Sequence, residues 1–277
     1  MVQYPVFSDQ PLPTGRVAAI VAYTGTRYSG WQSQKHSEET VQGHVERALS
    51  AVAGAPVSVT CAGRTDAGVH AAGQVIHFDV SVSRSPKAWI MGANHHLPAD
   101  IRLVWANTVD PAFHARYSAL SRRYQYILVN QPVAPAWCVG NLGWYHKRLD
   151  EQAMDRAAQQ LVGEHDFSAF RAAECQSRTP VRRLTRIRVR RDGDLICVDV
   201  EGNAFLHHMV RNIVGTLIYV GCGRQPESWV GEVLDSRDRR QGGPTAPASG
   251  LYFCRVTYPE HFDIPARAVR LPFRGVE

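Results

Sequence analysis

The chain has 277 residues, 44% of them hydrophobic and 20% charged. That is the composition of a globular protein with a sizeable core, and it excludes a fibrous or low-complexity chain. Its 31 basic and 25 acidic residues leave a net charge of +6, which favours an anionic partner without identifying one. No apolar run is long enough to span a bilayer. The start, Met1-Val2-Gln3-Tyr4-Pro5, lacks the basic-then-apolar pattern of a secretory signal, so a cytoplasmic protein with no membrane partner is expected. The six cysteines, Cys61, Cys138, Cys175, Cys197, Cys222 and Cys254, include no Cys-x-x-Cys pair. They signal neither a zinc site nor a disulfide framework, and mostly buried free thiols are expected.

Residues 1–15 are proline-rich and aperiodic, and read as a flexible tail. Arg16–Tyr23 reads as a buried strand, and the polar loop 24–32 follows it. Val41, Val45, Leu49 and Val52 recur at helical spacing behind Thr40, a good N-cap. Val57–Ala62 reads as a short strand leading into a small-residue loop, and Gln74–Val80 as a second strand beyond it. A helix is expected over Pro86–His96 and a strand over Ile101–Val109.

The second half begins with a strand over Arg123–Asn130 and a helix around 150–162. Arg182–Arg191 and Leu195–Glu201 form a hairpin across Asp192-Gly193-Asp194, a strong turn signal. An apolar helix is expected over Phe205–Val220, another near 227–236, and a last strand over Leu251–Tyr258. This order predicts an α+β fold of two similar lobes, 16–112 and 113–260, with mainly antiparallel sheet and helices on one face. A site is expected in the cleft between them, and 261–277 reads as a second tail.

The segment Ala62-Gly63-Arg64-Thr65-Asp66-Ala67-Gly68-Val69-His70-Ala71 sets one carboxylate among very small residues, two positions after an arginine. Its glycines let the backbone approach a ligand and adopt positive φ, which leaves Asp66 and Arg64 accessible to one visitor. Alternatively, Asp66 is a turn residue bonded to its own backbone. In the long apolar helix Arg211 stands among Val210, Ile213 and Val214. A buried guanidinium there needs an anion, and Asp66 is one candidate; another acid, or an arginine whose head reaches solvent, is the alternative. Along 184–191, Ile187 and Val189 alternate with Arg186, Arg188 and Arg190, with Arg182, Arg183 and Arg191 nearby. This is either a phosphate-binding stripe or a solvated strand face. Tyr28 and Trp31 by Arg27, and Tyr124 and Tyr126 by Arg122 and Arg123, suggest base stacking if they are not core.

The pairs His95-His96 and His207-His208 are adjacent, and neighbours on a helix do not face one ligand. No zincin or deaminase motif, Walker loop or dinucleotide fingerprint occurs. A catalyst built from these residues therefore works with no metal and no nucleotide cofactor. The rivals from the residues alone are an RNA-binding module without catalysis and a metal-dependent nuclease, and the latter lacks its clustered carboxylates.

The segments 62–71, 115–127 (ARYSALSRRYQYI) and 203–215 (NAFLHHMVRNIVG) resemble signature segments of the tRNA pseudouridine synthase A (TruA) family. So do 23–32, 40–49, 163–172 and 243–253, all in family order. Ser249 departs from a bulkier polar residue. The resemblance implies an isomerase that converts uridine to pseudouridine at positions 38, 39 and 40 of the tRNA anticodon stem-loop, acting as a homodimer without cofactor. It implies that Asp66 is the catalytic aspartate, Tyr124 the active-site tyrosine and Arg211 the basic partner of the aspartate. Arg64 would assist displacement of the target base. Arg27, Arg186, Arg188 and Arg190 are the remaining candidate contacts to the tRNA.

Overall fold

The computed structural model describes residues 7–33 and 39–265. The chain divides into two compact units, one built from residues up to Leu120 together with the stretch from Arg255, the other from Ser121–Cys254. The division falls at 120/121 rather than 112/113, and the chain returns to the first unit at its end. Side-chain packing explains both differences. Phe113 and Phe262 meet edge to face at 5.2 Å, and the Tyr258 hydroxyl donates to the Ala115 carbonyl at 2.6 Å. Residues 109–120 and 255–262 thus close the core of unit 1, and the first part of the expected C-terminal tail is packed rather than loose.

Unit 1 runs β1 (Gly15–Tyr23), α1 (Val41–Ala53), β2 (Thr60–Cys61), β3 (His70–Val80), α2 (Pro86–His96) and β4 (Ile101–Thr108). The strands lie in the order β4-β1-β3 with β2 on β3, all antiparallel. Val17–Val21 of β1 are buried without alternation, as befits a central strand covered on both faces. The Thr40 hydroxyl caps α1 by accepting from the Gly43 N–H, and Ser85 caps α2 in the same way through Ala88, with Pro86 at the first turn. The expected strand over 57–62 shortens to two residues. The described part of the N-terminal tail is held down: Leu12 N–H donates to the Arg84 carbonyl at 2.9 Å and Lys87 N–H to that of Ser8 at 3.2 Å.

Unit 2 runs β5 (Ser121–Asn130), β6 (Gly143–Tyr145), α3 (Glu151–Ala158), β7 (Gly163–Asp166), β8 (Val181–Asp192), β9 (Leu195–Gly202), α4 (Met209–Gly221) and α5 (Trp229–Ser236), and enters β10 (Leu251–Thr257). The strand order is β10-β5-β9-β8-β7, and β6 joins β5 in parallel. Gly193 takes the positive φ (57°) that the β8–β9 turn requires. α3 lies against β8 and α4, and α4 lies against β5. The protein is therefore α+β with mostly antiparallel sheet. With β6, β7 and α5 set aside, unit 2 repeats the β-α-β-β-α-β order of unit 1.

The helix expected near 227–236 is α5, whereas the short strands β6 and β7 escape the sequence pattern. The six cysteines form no disulfide, and only Cys138 and Cys197 are fully buried. Among the described residues no helix is long and apolar enough to cross a membrane.

Candidate active site

In unit 1 the loop after β2 carries Arg64 and Asp66, and main-chain bonds hold it from both sides. Ala62 N–H donates to the Val75 carbonyl at 2.8 Å, Trp31 N–H to that of Thr65 at 3.0 Å, and Gly68 N–H to that of Tyr28 at 3.4 Å. The carboxamide of Gln74, fully buried in β3, clasps Gly63 from below. It donates to the Gly63 carbonyl at 2.5 Å and accepts from its N–H at 3.4 Å. The hydroxyls of Tyr23 and buried Thr65 share a hydrogen bond of 2.7 Å.

Asp66 opens a turn closed by Val69 N–H donating to the Asp66 carbonyl at 3.1 Å. Gly68 takes φ +77° at the position where a type II turn demands it. Gly30, at φ +94°, lies so close to this loop that a Cβ there would sit 2.7 Å from the Thr65 carbonyl oxygen. The result is a half-buried carboxylate at Asp66 and an exposed side chain at Arg64, on a loop that cannot shift without breaking several bonds.

Arg27 lies on the neighbouring loop clasped to this one. It is 73% exposed and 3.7 Å from the Asp100 carboxylate. Tyr28 and Trp31 are core residues, as is Tyr126 in unit 2, so these three rings are not available for base stacking. The Tyr28 hydroxyl donates to Asp100 at 2.5 Å.

In unit 2, Tyr124 sits on β5 with little exposure. Its ring stacks on Phe253 at 4.7 Å and meets Phe205 edge-on at 4.9 Å. One ring face is thereby occupied, and a base would have to take the opposite one. Arg211 is not at mid-helix as expected. Residues 205–208 are non-helical, His208 takes a left-handed φ of 60° as the N-cap, and α4 starts at Met209. Arg211 therefore lies in the first turn, half-buried, where the helix dipole opposes a cation. Its Nε donates to the Ala246 carbonyl at 2.7 Å, and Ala246 N–H donates back to the Arg211 carbonyl at 3.1 Å. A close approach secures this brace: a Cβ on Gly215 would collide with the Pro244 carbonyl oxygen. Because His207 and His208 precede the helix, the helical-spacing objection to them as a pair falls away, and their rings lie 4.0 Å apart.

The strand stripe lies on β8, with β9 between it and Tyr124. Ile187 and Val189 are buried while Arg188 and Arg190 are exposed and Arg186 is half-exposed, as the alternation predicts. A register irregularity between Leu184 and Arg186 resets the faces, so Arg182, on the buried side, leaves the patch. Arg191 also leaves it, bound to Glu151 at 2.8 Å and to the Leu149 carbonyl at 2.7 Å. Arg186 stands 3.7 Å from Asp199, whose carboxylate is engaged by both Nε and a terminal nitrogen of Arg123 at 2.7 Å. Arg188 stands 3.4 Å from Asp155. Sequence reasoning missed Gln74 and the Asn212–Arg239–Thr245 cluster under α4. The available signal was a polar residue within an otherwise apolar run.

A family model described as tRNA pseudouridine synthase matches residues 19–118 and 157–259. Curated relatives include the tRNA pseudouridine synthase A of Pseudomonas aeruginosa, 52% identical over 91% of this chain and 88% of that protein. That of Coxiella burnetii is 53% identical over 90% and 95%, and that of Shewanella piezotolerans 50% identical over 92% and 97%.

Proposed function

The chain belongs to the tRNA pseudouridine synthase family, and from that premise we propose that Asp66 is the nucleophile of an isomerase acting at positions 38, 39 and 40 of the tRNA anticodon stem-loop. That the enzyme is a pseudouridine synthase acting on tRNA follows from the family. The single observation that carries the assignment to Asp66 is its loop. A half-buried carboxylate stands between glycines on a segment held by bonds from Tyr28, Trp31, Gln74 and Val75. Such pre-organisation is what a nucleophile requires.

The reaction breaks the N1–C1′ glycosidic bond and makes a C5–C1′ bond. N1 gains a proton, C5 loses one, and no electron or external group enters, so the chemistry calls for no redox or group-carrying cofactor. Asp66 acts by attack at C1′, by addition at C6 or through a glycal, and all three routes start from an ionised carboxylate. Tyr124 takes the C5 proton through its hydroxyl and offers the ring face opposite Phe253 to the uracil. Arg211 is the basic residue of the same reaction, and its positive charge favours the ionised carboxylate. The target base must leave its stack, and the exposed side chain of Arg64 suits the vacated position. Arg27, Arg186, Arg188 and Arg190 bind phosphates.

The enzyme works in the cytoplasm, where tRNA is processed, as a homodimer. The exposed apolar side chains of Val133, Trp137 and Val139 fit a self-association surface, which light scattering of the purified protein tests. The deciding experiment incubates the protein with uridine-labelled tRNA transcripts and maps the product. Pseudouridine at positions 38–40 is expected, and product confined to another arm of the tRNA would overturn the anticodon assignment.

A further inference from the structure

Among the described residues, some arginines of unit 2 stand beside an acid and others, Arg190 included, do not. Arg156, Arg186, Arg188 and Arg191 each face a carboxylate within 4 Å, at 2.6, 3.7, 3.4 and 2.8 Å respectively. The segment 171–183, which leads from β7 into β8, carries Arg171, Arg178, Arg182 and Arg183. Among the described residues none of these four has an ion pair with an acid. Arg171 donates to the carbonyls of Cys175 (2.5 Å) and Ser177 (3.2 Å) and also bonds the Cys175 thiol. Arg182, just 9% exposed, donates to the carbonyls of Thr179 (2.9 Å) and Val181 (2.6 Å) and to the Ser177 hydroxyl (2.5 Å). Its Nε has no partner at all. Carbonyl and hydroxyl oxygens satisfy hydrogen bonds but leave the net charge in place, and an uncompensated charge out of water is costly.

Resting on the tRNA reading above, we infer that this segment is a phosphate-binding element for the tRNA backbone. Exposed Arg178 and Arg183 touch the phosphates, while Arg171 and Arg182 beneath them supply unneutralised positive charge. Burial pushes the Arg182 pKa down, Cys175 offsets part of this, and the neighbouring Arg171 lowers it further. The segment is also bolted to the turn that leads into α4 and Arg211. Ala172 N–H donates to the His207 carbonyl at 3.0 Å, and His207 N–H donates to the Cys175 sulfur at 3.4 Å. A phosphate bound here is therefore registered against that turn.

The rival counter-ion is Cys175 itself. Burial raises its thiol pKa, but N–H groups of His207 and Ser177 and the Arg171 charge outweigh this and bring it below the ordinary value. The test measures tRNA binding across a salt series for the wild type, the Arg178→Gln/Arg183→Gln double variant, Arg156→Gln as a paired-arginine comparison, and Cys175→Ser. Each phosphate that the protein no longer neutralises makes the log–log salt slope shallower by about 0.7–0.9. The double variant, whose exposed positions do not threaten folding, should have a slope shallower by about 1.4–1.8 and bind about tenfold more weakly at low salt. Turnover at saturating tRNA should hold, and Arg156→Gln and Cys175→Ser should keep the wild-type slope. An unchanged slope in the double variant overturns the inference. So does a steeper slope in Cys175→Ser, which would mean that the thiolate was neutralising the arginines. A wild-type protein that fails to bind tRNA breaks the functional reading instead.

Discussion

The Asp66 loop of unit 1 and the Arg211 turn of unit 2 are held by different means. Around Asp66 the holding is done by main-chain bonds to Tyr28, Trp31 and Val75 and by the buried side chains of Thr65 and Gln74. The positive φ falls on glycine, where it costs little. At the start of α4 the side chain proposed to act is itself a brace, through the Arg211 Nε bond to the Ala246 carbonyl. There the positive φ falls on His208, a residue for which it is uncommon and strained. The first arrangement separates support from the proposed chemistry, and the second joins them. Substitutions in the two regions should therefore fail in different ways.

The largest effect is expected at Asp66. Asp66→Asn should lower turnover roughly 10³-fold or more while leaving tRNA affinity and melting temperature near those of the wild type. A marked loss of stability would show that the carboxylate is part of the support after all. Gly30→Ala attacks the support and spares the proposed nucleophile. At φ +94°, with a Cβ 2.7 Å from the Thr65 oxygen, it should displace residues 65–67 and cost about 1–3 kcal/mol. Turnover should fall about 10²-fold if the carboxylate moves by about an ångström, read by denaturant unfolding beside single-turnover kinetics.

Arg211→Met should mix the two signatures, losing turnover together with about 1–3 kcal/mol, because the Ala246 carbonyl is left without its donor. Combined with Asp66→Asn in a double-mutant cycle on turnover, non-additive losses are expected of the pairing that the family resemblance implies. Strict additivity would assign Arg211 to another acid.

The smallest effect separates the units by pH. His77, further along β3 and buried, accepts the Ala115 N–H at 3.1 Å through Nδ1. Burial, then the charges of Arg16 and His114, bring its pKa from 6.5 down to about 4. The unfolded chain then binds a proton that the folded chain refuses between those values, so this stability contribution is present above pH 6.5 and lost as pH falls towards 4. Melting temperature should drop across that window, and His77→Gln should flatten the drop. An unaltered profile would place the acid sensitivity elsewhere.

The sequence by itself determined what rests on local chemistry. Thr40 and Ser85 read as caps, Asp192-Gly193-Asp194 as a hairpin turn, and Ile187 and Val189 as the inner face of a strand, because capping, turn dihedrals and two-residue alternation act over a few positions. The motif order carried the family for the same reason: its residues lie in short contiguous runs. Tertiary structure alone decided the rest. The start of α4 moved to Met209 because a turn at His208 and a brace from Ala246 overrode an apolar run that has no internal stop. Arg182 and Arg191 left the stripe because of a strand irregularity and an acid 40 residues away. Unit 1 reclaimed 255–262 because Phe262 and Tyr258 found Phe113 and Ala115 across more than a hundred residues of chain. Whether an arginine already has its anion depends on such distant neighbours, and no local pattern encodes them.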